Sequence, residues 1–194
     1  MKQINRAKIL KKLKKELDED RYLHTMGVMY TAASLAMRYG EDPERAMLAG
    51  ALHDCAKCIP NDKKIRMCEE YGVEISEVEK RSPYLLHSKL GAVLAKERYD
   101  VTDQGVLDAI TWHTTGRPDM TLLEKIIYLA DYIEPGRYKA QNLPVIRSTA
   151  FLDLDLALYL TLRDTLQYLQ TSRSDVDDMT RLAFEYYDRV IRER

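Results

Sequence analysis

The segment Thr121-Leu-Leu-Glu-Lys-Ile-Ile-Tyr-Leu-Ala-Asp-Tyr-Ile-Glu-Pro-Gly136 decides the fold class. It opens on a Thr-x-x-Glu capping box, in which the Thr121 and Glu124 side chains each satisfy a free amide of the first helical turn. It closes on Pro135-Gly136, a pair that ends helices. Between these signals the apolar run Ile126 to Ala130 is interrupted by Asp131, and a buried carboxylate there is costly unless it is paired or bound to a cation. The segment reads as a core helix that carries one charge with a chemical purpose.

The same punctuation recurs on both sides. Ile4, Ala7, Leu10, Leu13 and Leu17 follow helical spacing through a lysine-rich stretch, giving an amphipathic helix that ends near Asp18. A second helix is expected from Asp20 to Tyr39 with Gly40 as its C-cap, and a third from Asp42-Pro43 to about Lys57, closed by Pro60. One or two short helices with a turn at Gly72 fill residues 61 to 82, and Ser82-Pro83 opens another that runs to Arg98. Thr102 is the expected cap of the next, which ends near Thr114-Thr115-Gly116. Beyond Gly136, a short helix from Pro144, a longer one from about Asp155, and a last one opened by Ser174 and Asp177 complete the chain. Strand alternation is almost absent, so the expected fold is an all-α, single-domain helical bundle over residues 1–194.

Composition limits what such a bundle can do. With 194 residues, 45% of them hydrophobic, the chain can bury one sizeable core without disulfides. Thirty Lys and Arg against 31 Asp and Glu leave a net charge of −1, so no global field draws it to nucleic acid or to an anionic membrane. The apolar runs fall far short of the roughly 18 residues of a membrane span. The lysine-rich start lacks the apolar stretch of a secretory signal, and three cysteines fit a reducing compartment, so a cytoplasmic location is expected. Cys55 and Cys58 form a Cys-x-x-Cys pair with no second pair, which reads as packing. The lysines at 8, 11, 12, 14 and 15 read as a solvated helix face. A homodimer is left open.

The chemistry-bearing residues lie in between, at about residues 20–140. The chain has only four histidines, His24, His53, His87 and His113, each on or at the edge of a different expected helix. One helical histidine is usually a core or cap residue. Four, with Asp54 directly after His53 and Asp131 in an apolar run, suggest a shared centre. Neutral imidazoles and carboxylates suit divalent iron, manganese or zinc, and facing helices can project them inward. Six ligands exceed one tetrahedral site. Two metals sharing a bridging carboxylate would acidify a water and neutralise a phosphoryl group, which points to hydrolysis of phosphate esters or anhydrides.

The order His24, His53-Asp54, His87, His113, Asp131 resembles the HD-domain metal-dependent phosphohydrolases, an all-helical superfamily named for its adjacent His and Asp. Arg21-Tyr-Leu-His24, His53-Asp-Cys-Ala-Lys57, Trp112-His-Thr-Thr-Gly116 and Leu129-Ala-Asp-Tyr-Ile-Glu-Pro-Gly-Arg137 are similar to the YqeK family within it, over about residues 4 to 190. Members of that family hydrolyse diadenosine tetraphosphate symmetrically to two ADP.

The resemblance implies two iron ions. His24, His53, Asp54 and Asp131 would hold the first, and Asp54 would bridge to a second held by His87 and His113, with a bridging hydroxide as nucleophile. The ligand set by itself also permits manganese. Arg21, Lys57 and Arg137 would contact the phosphates, Thr114 would donate a hydroxyl, and Lys57 would join Asp54 as a catalytic residue by stabilising the departing ADP. The likeness weakens around Ser172 to Asp178, which leaves open which side chains of residues 174 to 179 contact nucleotide. The alternatives are an HD-type hydrolase of deoxynucleoside triphosphates or of a guanosine alarmone, and a regulatory module that binds nucleotide without turnover.

Overall fold

A computed structural model describes residues 6–140 and 142–194, so the expected apolar contribution of Ile4 falls outside it. Among the described residues there are helices and connecting turns but no strands. The first half comprises α1 (Arg6–Glu16), α2 (Glu19–Tyr39), α3 (Pro43–Leu52), α4 (Asn61–Glu70) and α5 (Glu77–Arg81). A 3₁₀ turn, Pro83–Leu86, leads into α6 (His87–Tyr99), α7 (Gln104–Trp112) and α8 (Leu122–Ile133). Three more follow: α9 (Leu143–Ala150), α10 (Leu154–Thr171) and α11 (Asp178–Arg192).

Helices α2, α3, α7 and α8 pack around one apolar core, with α6 beside α7 and the α10–α11 pair against α8 and α9. Helices α2 and α3 approach each other closely. A Cβ at Gly50 would sit 3.0 Å from the Met29 backbone, so the absence of a side chain lets the two helices nearly touch. Helix α8 is the central one: Ile126, Ile127, Leu129 and Ala130 are fully enclosed, and both hydrogen bonds of the Thr121–Glu124 capping box form at its start.

Several boundaries differ from the sequence expectations, each for a local reason. In α1 the buried ridge is Ile9, Leu13 and Leu17, while Ala7 is exposed and Leu10 half-buried. The larger Ile9 removes more apolar surface from water than Ala7 can, and the helix turns accordingly. Helix α3 stops at Leu52 instead of reaching Lys57, and residues 53–59 form a succession of turns. Ser82 makes no cap bond, and its hydroxyl donates to Asp175 across the fold. Pro83 therefore starts only a 3₁₀ turn before α6. Asp103, not Thr102, caps α7, and Asp153 caps α10 just upstream of the expected start, in each case because the carboxylate accepts an amide of the first turn.

A buried polar contact helps to tie in the C-terminal helix. Tyr187 is buried and its hydroxyl accepts the Met120 amide at 3.0 Å. Tyr187→Phe leaves that amide without a partner and is expected to cost about 1–3 kcal/mol. The measurement is a urea titration, with a lower midpoint at an unchanged slope.

Candidate metal centre

Three of the four histidines occupy the same kind of place. His53 follows the last residue of α3, His113 follows the last residue of α7, and His87 follows the 3₁₀ turn. The last carbonyls of a helix have no amide partner within it. The His53 and His113 imidazoles each use one, with Nδ1 2.7 Å from Gly50 O and 2.7 Å from Ile110 O, while Nδ1 of His87 lies 2.6 Å from Tyr84 O, a carbonyl that also accepts the His87 backbone amide. A carbonyl only accepts, so Nδ1 carries the proton in all three and Nε2 is left with its lone pair.

The fourth, His24, lies inside α2, and its Nδ1 donates to Oε1 of Glu134 at 3.0 Å. Its Nε2 is likewise a lone pair. The four Nε2 atoms converge. His87 Nε2 and His113 Nε2 are 3.1 Å apart, and the rings of His24, His53, His113 and His87 follow edge to face with centroids 5.0–5.3 Å apart.

The two carboxylates complete the cluster. Asp54 is buried, and its oxygens divide between the imidazoles. Oδ2 is 3.5 Å from His53 Nε2 and 3.9 Å from His24 Nε2. Oδ1 is 3.2 Å from His87 Nε2 and 3.6 Å from His113 Nε2. Asp131 Oδ1 lies 3.0 Å from His24 Nε2 and 3.9 Å from His53 Nε2. Despite these distances His24 Nε2, His53 Nε2 and Asp54 Oδ1 have no hydrogen-bond partner and no exposure. Acceptor faces acceptor.

Such an arrangement is repulsive by itself and favourable around cations. One ligand atom each from His24, His53 and Asp131 lie within 4.8 Å of one another, as do those of His53, Asp54 and His113. The donor set of imidazole nitrogen and carboxylate oxygen suits divalent transition metals, and the orphaned buried atoms show that these residues fit such a group.

The electrostatics agree. Burial would raise the Asp54 carboxyl, but the polar groups around it, His53 foremost, hold it well below the ordinary carboxylate range. Enclosure also works against the Asp131 carboxylate, and His24, His53 and Arg137 prevail. Burial, against the pull of Asp54, pushes the His87 imidazole down to about 4, so it remains a neutral donor of its lone pair at physiological pH.

Above the cluster a cleft of about 1040 Å³ opens to solvent, at the large end of the range for small-molecule sites. His24, His113 and Asp131 reach its floor, and Arg21, Lys57, Thr114 and Arg137 stand around it. The cations are paired with the cluster's own carboxylates: Arg21 with Asp54 Oδ2 and Arg137 with Asp131 Oδ1, each at 2.6 Å. Lys57 Nζ lies 3.0 Å from His87 Nε2 and 3.7 Å from Asp54 Oδ1. Thr114 Oγ1 is 3.1 Å from both His87 Nε2 and His113 Nε2. All ten residues singled out in the sequence therefore meet in one place. Cys55 and Cys58 are free thiols, and Cys58 donates to Asp18 outside the cluster.

An HD-domain family model matches residues 21–136, the stretch that contributes every residue of the cluster. The chain belongs to the HD-domain family. It is similar to the symmetrical bis(5'-nucleosyl)-tetraphosphatase of Bacillus subtilis (strain 168), at 40% identity over 94% of this chain and 97% of the relative. A protein of the same name from Halalkalibacterium halodurans is 42% identical over 86% of this chain and 88% of its own length. Among solved structures, a predicted HD superfamily hydrolase involved in NAD metabolism from Clostridium acetobutylicum superimposes with a TM-score of 0.92 at 42% identity, covering 98% of each chain. No helix among the described residues is long and apolar enough to cross a membrane.

One residue of the site has no counterpart in the sequence reading. Glu134 is buried beneath the cleft and touches His24, yet in the sequence it reads as the end of a helix before Pro135-Gly136. The signal that could have found it is its place three residues after Asp131, close to the same face of α8.

If the cluster takes up cations, their removal should show in stability. Protein stripped with a chelator is expected to melt lower than protein with manganous or ferrous ion at a thousandfold excess over Kd, by about 4 kcal/mol. For a chain of this size that is on the order of 10 °C by calorimetry. An unchanged melting temperature would mean that the acceptors are reconciled in some other way.

Proposed function

We propose that this chain is a metal-dependent hydrolase that cleaves diadenosine tetraphosphate symmetrically to two ADP. The observation that carries the reading is the convergence of four imidazole lone pairs and two carboxylates on the floor of a cleft edged by Arg21, Lys57 and Arg137. The names of the relatives, symmetrical tetraphosphatases matched over nearly their whole length, supply the substrate.

In this reading His24, His53 and Asp131 would hold one divalent cation and His87 and His113 the other, and Asp54, whose two oxygens face the two sets of imidazoles, would serve both. Iron is the metal assigned, and the ligand set also admits manganese. Two bound cations would supply an acidified water and positive charge against the phosphoryl oxygens.

The chain's own groups do the rest. The substrate carries roughly four negative charges on its phosphates, and guanidinium groups match phosphate oxygens with paired donors. Arg21 and Arg137 stand in the cleft wall beside the carboxylates, already aimed at the cluster. With the Asp54 and Asp131 charge neutralised by bound metal, both guanidinium groups would be free to turn to phosphate. Thr114 donates its hydroxyl to a phosphoryl oxygen beside His113. Hydrolysis breaks the central anhydride bond: the oxygen of water joins the terminal phosphorus of one ADP, and the bridging oxygen leaves with the other. Lys57 and Arg137 stabilise the charge that collects on that leaving oxygen.

Incubation with diadenosine tetraphosphate, with and without added ferrous ion, followed by anion-exchange chromatography is expected to give ADP as the sole nucleotide product. Equal amounts of ATP and AMP would overturn the symmetrical reading. Release of tripolyphosphate from a deoxynucleoside triphosphate, or of pyrophosphate from a guanosine alarmone, at a higher kcat/KM would reassign the substrate. Lys57→Ala is expected to keep the metal content while slowing turnover by about 10²-fold. A variant as active as the parent would leave Lys57 as an ordinary ion-pair residue.

A further inference from the structure

His24 poses a problem that the other histidines do not. They end helical elements and find a carbonyl acceptor three residues back, whereas His24 lies inside α2, where the backbone carbonyls are taken up by the helix itself. An acceptor for its Nδ1–H has to come from another element. Glu134, at the end of α8, is that acceptor, with Oε1 at 3.0 Å.

The surroundings of Glu134 are built to hold a carboxylate there. Its Oε2 accepts the Gly136 amide at 2.5 Å. A Cβ on Gly27, one turn after His24 on α2, would overlap Oε2, and a Cβ on Gly136 would come within 3.0 Å of both oxygens. The two glycines frame the space that the carboxylate fills. The backbone is fixed from behind by Arg147 of α9, whose guanidinium donates to the carbonyls of Ile133 at 2.9 Å and of Glu134 and Arg137 at 2.8 Å.

We propose that Glu134 is the positioning residue of His24: its carboxylate holds the Nδ1–H tautomer and aims Nε2 into the centre, and Gly27 and Gly136 are small to make room for it. This rests on the assignment of His24 as a metal ligand. A carboxylate behind a ligating imidazole also makes the ligand more basic, and removing such a partner lowers metal affinity by 10–100-fold in general.

The test reads the ring before any metal is added. In metal-stripped protein, nitrogen-15 NMR of the histidine side chains is expected to show His24 with its proton on Nδ1. Glu134→Ala should move that proton toward Nε2, the form that free neutral imidazole favours, and should weaken manganous ion binding about 10–100-fold in competition with a chelator. Glu134→Gln keeps an oxygen for the Nδ1–H and should retain the tautomer with a smaller loss of affinity. Gly27→Ala, which leaves every polar group present but takes the space, should reproduce the tautomer shift. It should add nothing in the Glu134→Ala background.

Retention of the Nδ1–H form and native affinity in both Glu134→Ala and Gly27→Ala would overturn the proposal. His24→Ala separates the two layers. If it binds manganous ion like the parent, the ligand assignment falls and the positioning role with it. If it binds weakly while Glu134→Ala binds normally, only the positioning role falls.

Discussion

Everything in the site depends on one hydrogen bond made several times: Nδ1–H of an imidazole to an acceptor on the protein, in three cases a carbonyl three residues back at the end of a helical element. At His53 and His113 it satisfies a carbonyl that would otherwise be orphaned, and in every case it settles which nitrogen is bare. The cost of exposing a helix end inside the fold and the cost of choosing a tautomer are offset by the same contact. The helix ends come together because α3, α6, α7 and α8 share one core, so the lone pairs come together as well.

A cluster of buried acceptors is unstable unless positive charge is nearby. Arg21, Lys57 and Arg137 supply it from the cleft wall, and they are the same groups that the bound polyphosphate would need. One set of cations would thus have two partners of like charge, the cluster's carboxylates and the phosphates, and bound metal ions would decide which partner they serve. Asp54 is at the centre of this arrangement because it is enclosed and because its two oxygens face two different sets of nitrogens. A glutamate or asparagine there would keep hydrogen bonding but lose either the reach or the charge.

Much of this was readable in the sequence. The capping box at Thr121, the Pro135-Gly136 stop and the charge of Asp131 inside an apolar run were enough for an all-α fold with one buried centre, and all six ligand candidates are neighbours in space. The errors arose where a side chain overrides the backbone pattern. Helix α3 was expected to reach Lys57, but His53 terminates it by taking the Gly50 carbonyl, a competition that spacing does not reveal. Ser82 looked like a cap and instead reaches Asp175, about 90 residues away along the chain, through a contact that exists only after packing. Glu134 went unread because its partner, His24, lies on another helix, and the space it occupies is defined by glycines whose importance is the absence of atoms.

The three helix-end histidines take their acceptors from only three residues back. Their aim is therefore encoded over a distance shorter than one helical turn, and a segment can acquire it as soon as it coils, on the sub-microsecond scale of helix formation. The slow part of assembly is then the docking of segments that already point the right way. His24 is the exception, since its aim waits for α8 to arrive with Glu134, and it would be the last imidazole to settle during folding.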